Sequence, residues 1–378
     1  MRIIRSHKLI VYAVALYFAS YAISQNAISQ TNPDFNVQLM LDYSSAEQSI
    51  ALYEDEFVNT QLLAETRGCR IAASTTGLIE NRGTVTNWLQ LYLDSLKYHQ
   101  IIREDIYHLE SARKDVAEIK SLLAEIKKCN FNRRISATVE QIFPSDAKIS
   151  IAIPLYVVAF GHGNVDAYVR RIIWHGDIPQ FVGEGAGELT IVINLAHAVD
   201  YGSSAEERLV SLLGVVAHEV FHASFSAFKE SSSSWKKYYA EHQQPIDALL
   251  DLTQNEGIAY YLSLEQQGHG FLPRSWNSKF RDVFLTFNKN AVALSSDSVT
   301  PQQAAKIMRQ ANLSGYWENY GSLVGMFIAR EIDTRLGRAA LIETITSSPY
   351  DFFRKYVSLT KADSNLPKLP DHLVDKIR

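Results

Sequence analysis

In the stretch VVAHEVFHASF, Val215 to Phe225, two histidines stand four residues apart and a glutamate directly follows the first. On an α-helix, positions i and i+4 share one face, with Cβ atoms about 6 Å apart. The rings of His218 and His222 can therefore converge on one tetrahedral ion at about 2.0–2.1 Å per Zn–N bond. Glu219 is rotated about 100° from His218. It can flank such an ion without binding it and reach a water in the open coordination position. The competing reading is a purely structural histidine pair. Against it, the match is embedded among Val215, Val216, Ala217, Val220 and Phe221, with Ala223 and Ser224 behind. Two histidines and a carboxylate are costly in such surroundings unless something compensates their polarity and charge. A divalent cation does so.

A catalytic zinc site takes three protein ligands and keeps one position open. The metzincin arrangement would need glycine at 225 and histidine at 228, where this chain has Phe225 and Phe228. A glutamate from a later helix is the remaining common solution. PIDALLDLTQNEGIAYYLSLEQQG predicts such a helix, with Pro245 in its first turn and Ile246, Leu249, Leu250, Leu252, Ile258, Ala259 and Leu262 as its apolar faces. Glu256 lies mid-helix between Asn255 and Gly257. A helical glycine costs about 1 kcal/mol relative to alanine. Close approach to the histidine helix is the expected compensation. Glu256 is the preferred third ligand, with His242, Asp247, Asp251, Glu265 and His269 as rivals.

The elements that position these residues can be read from local pattern. Ser203 with Glu206 forms a capping box just ahead of the stripe Leu209, Leu212, Leu213, Val216, Val220 and Phe221. KISIAIPLYVVAFG and ELTIVINLA read as strands, and Pro154 argues for an edge position or a break in the first. The glycine-rich VGEGAGE between them lacks the Lys-Ser/Thr and the following helix of a phosphate loop. From about Asn36 to Asn130 the periodicity is helical, interrupted by a loop at CRIAASTTGLIENRGT. After Asp200 the chain is helical almost to its end. The fold class is α+β and mostly helical, with a small sheet and a long histidine-bearing helix.

HEVFH followed by NEGIAYYL resembles the gluzincin branch of zinc metallopeptidases. More narrowly, it is similar to predicted zinc-dependent peptidases whose second motif reads Glu-Gly-x-Ala. The resemblance spans about Glu188 to Tyr356. It implies a zincin-like fold, Zn2+ as cofactor, His218, His222 and Glu256 as metal ligands, and Glu219 as general base. It also implies an edge strand ahead of the histidine helix that pairs with substrate backbone, a place held here by ELTIVINLA. Two departures stand out. The 33 residues between His222 and Glu256 exceed the thermolysin-like spacing, so KESSSSWKKYYAEHQQ is expected to loop out. Tyr260 occupies the position where thermolysin-like enzymes carry an acid that orients a histidine, which leaves that orienting group unidentified. An oxyanion donor is also needed. SGYWENYGSLVGMFIAREI offers Tyr316 and Tyr320, with Tyr320 preferred because the helix beginning there resembles the late helix that closes such sites. His162, His175 and His197, near the strands, read as ordinary surface or loop histidines.

The bulk properties exclude some classes. A formal charge of −4 and no basic stripe interleaved with aromatics argue against nucleic acid. MRIIRSHK, the apolar LIVYAVALYFASYAI and the small or polar residues after it follow the order of a secretory signal peptide, with cleavage expected between Ser24 and Ala27. At 15 residues the run is short for a span of about 20, so no stable membrane anchor is expected after cleavage. Cleavage removes three basic and no acidic residues from a chain with 37 basic and 41 acidic, leaving it mildly acidic. Cys69 and Cys129 match neither a zinc knuckle nor a redox pair, and their spacing leaves a disulfide open. The expected organisation is a signal peptide (1–27), a helical amino-terminal region (28–146), a zincin-like catalytic domain (147–359) and a polar tail (360–378). The function expected is an exported, periplasmic or extracellular, zinc metallopeptidase acting on a peptide or protein. The alternatives are a zinc hydrolase of a non-peptide amide or ester and a non-catalytic binding protein that keeps the fold. Oligomeric state is not legible.

Overall fold

The computed structural model describes residue 32 and residues 34–378, except 81–85, 162–166, 183–185, 269–275, 297 and 313–317. The expected signal peptide lies outside the described residues. In chain order the first elements are β1 (Phe35–Asp42), α1 (Ser44–Tyr53), α2 (Thr60–Glu65), α3 (Arg67–Ile79), α4 (Thr86–Lys97), α5 (Leu109–Lys114), α6 (Val116–Lys128) and α7 (Phe131–Glu140). Next come β2 (Ile149–Val158), β3 (Ala167–His175), β4 (Ile178–Val182), β5 (Glu188–Asn194), α8 (Leu195–Ala198) and α9 (Ala205–Ser231). The rest is α10 (Ser233–Glu241), α11 (Pro245–Gly268), α12 (Trp276–Leu294), α13 (Pro301–Asn312), α14 (Tyr320–Leu336), α15 (Arg338–Ser347), α16 (Pro349–Ala362) and α17 (Asp371–Ile377). The result is a mostly helical α+β fold with one five-stranded mixed sheet.

The sheet order is β1-β2-β5-β3-β4. β1 is a strand where a helical pattern is expected. Phe35, Val37 and Leu39 are buried while Asn36, Gln38 and Met40 are exposed, a period of two that only a strand satisfies. It runs parallel to β2 from Phe35↔Ile149 to Asp42↔Tyr156. The expected boundary at residue 146 therefore falls between two paired strands of one sheet. β5 pairs with β2 on one side and antiparallel with β3 on the other. It is central, so the expectation that ELTIVINLA forms a free edge is corrected; the edges are β1 and β4. Pro154 lies in β2 opposite Met40, just before the stretch Leu155–Val158 that pairs with β5. A missing N–H is tolerated there because that side of β2 has no strand partner yet.

CRIAASTTGLIENRGT is no loop over its first two thirds. It lies in α3, which packs on the sheet face carrying Val158, Tyr168 and Asn194 and buries Cys69, Ile71, Ala72 and Ala73. Burial against the sheet overrides the weak helix propensity of its Ser, Thr and Gly residues. Both thiols are free, and burial pushes Cys69 up to about 12.

α9 contacts β2, β3 and β5, and also α11, which packs most extensively against α14. Among the described residues α9 is the helix long and apolar enough to cross a membrane, and most of that stretch is buried inside the protein. Its capping residue is Ser204, one position later than expected. The Ser204 hydroxyl accepts from the Glu207 amide at 3.2 Å, and the Glu207 carboxylate accepts from the Ser203 amide and hydroxyl at 2.8 and 2.7 Å. KESSSSWKKYYAEHQQ does not loop out. It forms the end of α9 and then α10, with Trp235 fully buried and donating from Nε1 to the Ile345 carbonyl at 2.7 Å. The Lys229 ammonium sits over the rings of Phe225 and Trp235 at 4.2 and 4.4 Å and pairs with Asp251. The tail is likewise docked: Leu366, Leu369, Leu373 and Ile377 are buried.

The glycine in α11 does permit a close approach, but to α14 and not to α9. A Cβ at Gly257 would stand 2.3 Å from the Gly325 Cα, and one at Gly325 would stand 1.8 Å from the Thr253 carbonyl oxygen. Only two glycines let these helix backbones cross so tightly.

Candidate metal centre

α9 places His218 and His222 on one face, one turn apart, with their rings edge to face and centroids 4.6 Å apart. Their Nε2 atoms are 3.0 Å from each other. From α11, Glu256 brings Oε2 to 3.6 Å from His218 Nε2 and 3.4 Å from His222 Nε2. Among the described residues this is the one His/Cys/Asp/Glu group close enough to hold a metal ion. A tetrahedron with bonds of about 2.0–2.1 Å has edges of about 3.3 Å, so the three donor atoms already stand at zinc-like separations. Each side chain keeps 14–18% of its surface accessible.

The electrostatics ask for positive charge at the centre of this triangle. Burial by itself would raise the Glu256 carboxyl, yet the imidazoles of His222 and His218 pull it well below the usual carboxylate range. Burial would lower His222, but Glu256 and, further off, Glu219 push it up to about 9. Two imidazole nitrogens and one carboxylate oxygen are also the donor set of catalytic zinc. The residues fit the metal.

Neighbouring groups hold these three side chains. Asn255 Oδ1 stands 3.1 Å from His222 Nδ1. A carbonyl oxygen only accepts, so Nδ1 carries the proton and Nε2 is turned toward Glu256. This is the histidine-orienting group that the sequence left unidentified. Tyr260 packs its ring edge to face against His218, with centroids 4.8 Å apart. Glu256 Oε1 accepts from Asn312 Nδ2 at 2.7 Å. Asn312 carried no motif and lies 56 residues from its partner. Glu219 acts electrostatically on His222 and on Arg170, whose guanidinium lies over the rings of Tyr168 and Phe181.

The rival ligands are engaged elsewhere. Asp247 meets the Tyr350 hydroxyl at 2.8 Å and Lys376 at 3.1 Å. Asp251 meets Lys229 and the Tyr239 hydroxyl. His242 lies against the rings of Tyr238 and Tyr350. His175 bonds Gln180 across the β3–β4 hairpin, and His197 packs on Tyr201. The Glu265 side chain, His269, His162 and Tyr316 lie outside the described residues. Tyr320 has its hydroxyl engaged within the protein. It opens α14, but its ring turns into the core and its hydroxyl donates to the Ile307 carbonyl at 2.7 Å. Burial pushes that hydroxyl up to about 12. Its ring is buried and its donor is engaged by Ile307.

No curated protein and no solved structure matches this chain significantly. Residues 71–365, more than three quarters of the sequence, match the family described as "Putative zinc dependent peptidase (DUF5700)". The matched span contains α9, α11, α13 and α14, and with them every residue of the triangle and its orienting partners. The chain belongs to this zinc-dependent peptidase family.

Proposed function

We propose that the protein is an exported metallopeptidase of the gluzincin type, with His218, His222 and Glu256 as zinc ligands and Glu219 as general base. The observation that carries this reading is the meeting of two Nε2 atoms and Glu256 Oε2 within 3.0–3.6 Å, from two helices. Zinc bound there supplies the Lewis acidity that makes water a nucleophile near neutral pH and polarises a scissile carbonyl. Glu219, next to His218 on α9, accepts the proton from the attacking water and returns it to the leaving amine. Asn255 keeps His222 in the tautomer that presents Nε2. Export is supported by Arg2, Arg5 and Lys8 ahead of the apolar run, with cleavage between Ser24 and Ala27. Sequencing the amino terminus of secreted protein tests that part.

Glu219→Gln tests the chemistry. The variant should retain zinc by elemental analysis and lose casein hydrolysis by at least about 100-fold. Unchanged cleavage would sink the proposal.

A further inference from the structure

We propose that Asn312 and Ser322 are positioning residues that hold the Glu256 carboxylate in the orientation that turns one oxygen toward the metal; this rests on the ligand assignment above. An ionised carboxylate only accepts hydrogen bonds, so Asn312 must turn its NH2 toward Glu256 Oε1, at 2.7 Å. That leaves Asn312 Oδ1 to accept, and the Ser322 hydroxyl donates to it at 2.8 Å. The direction of every proton in the chain is thereby set from one end. Oε1 is taken, and Oε2 is the oxygen left 3.4 and 3.6 Å from the two imidazoles.

Three helices are locked together to build this relay. Asn312 is the last residue of α13, Ser322 is on α14 and fully buried, and Glu256 is on α11. The Gly257–Gly325 crossing joins α11 to α14 one residue from Glu256. Gly321 admits the end of α13 to the same spot: a Cβ there would lie 3.1 Å from the Ala311 Cβ and carbonyl oxygen. Terminal carboxylate torsions are soft, so without Asn312 the Glu256 carboxylate swings over a broad range of orientations instead of being held with one oxygen toward the imidazoles. Groups that orient ligands in this way are worth about 10–100-fold in metal affinity.

The experiment measures zinc affinity of the metal-free mature chain by competition with a chromophoric chelator, alongside its melting temperature without metal. Asn312→Ala should bind zinc about 10–100-fold more weakly with little change in melting temperature. Ser322→Ala should lose less, and the double variant should bind no more weakly than Asn312→Ala alone, because Ser322 acts through Asn312. Wild-type affinity in Asn312→Ala, additive losses in the double variant, or a lowered melting temperature with unchanged affinity would each overturn the relay. If Asn312→Ala does not fold, Ser322→Ala decides, and wild-type affinity there overturns it. His222→Ala separates the two levels: if it still binds zinc normally, the ligand assignment itself has failed.

Discussion

Helix α11 carries a buried and a partly buried carboxylate nine residues apart, Asp247 and Glu256, and their surroundings differ in kind. Asp247 is 2% exposed and is met by the Lys376 ammonium, the Tyr350 hydroxyl and the Gln244 amide. It is closed and neutralised by a permanent cation from the last helix of the chain. Glu256 has one amide donor on Oε1 and, facing Oε2, two imidazoles whose charge depends on a proton. A carboxylate that only holds structure together is fully answered by its own protein. The one proposed here as a ligand is met on one oxygen by an amide and on the other by two imidazoles.

Substitution at each carboxylate breaks this contrast most directly. Glu256→Ala should abolish zinc binding and hydrolysis, read by elemental analysis and casein cleavage, while the metal-free chain stays folded. Asp247→Ala should destabilise the chain by about 2–3 kcal/mol in denaturant titration and leave the affinity of folded protein for zinc unchanged, because it strips the partner of Lys376 and Tyr350. Equal effects of both variants on zinc would erase the distinction. Gly257→Ala should come next, costing at least about 3 kcal/mol, since its methyl would collide with the Gly325 backbone and force α11 and α14 apart.

A pH series sharpens the contrast without any mutation. In the metal-free chain His222 is raised to about 9, so at pH 7 it carries a proton that must leave before Nε2 can ligate. Apparent zinc affinity should therefore rise about tenfold per pH unit up to about 9 and flatten above it. Calorimetry in buffers of different ionisation enthalpy should count about one proton released at pH 7. The sign for stability is opposite. A raised histidine stabilises the metal-free fold fully below its unfolded value of about 6.5, and that contribution fades as pH climbs through about 9. The smallest effect is expected from Tyr320→Phe, which removes one bond to Ile307, about 1 kcal/mol of melting stability, and leaves turnover within a few-fold of wild type. A loss of 100-fold or more would restore Tyr320 to the chemistry.

The corrections share a cause. α3 and β1 were hard to read because burial against the sheet decided them, over weak propensity in one case and beside a long helical pattern in the other. Gly257 points to a close approach without naming its partner, which is α14 and not α9, because a glycine shows that a backbone comes near and not which one does. Tyr320 looked available because tyrosine carries a donor wherever it sits, and only packing reveals that Ile307 has taken it.

Local spacing, by itself, determined the two imidazoles on one face, the glutamate beside them and the helix bearing Glu256, because a 3.6-residue period is a property of adjacent residues. Tertiary structure alone decided that Oε2 of Glu256 reaches both rings, that Asn312 holds its other oxygen, and that β5 lies inside the sheet. Those contacts join segments far apart in the chain, and no interval in the sequence encodes a distance across two helices packed through a pair of glycines.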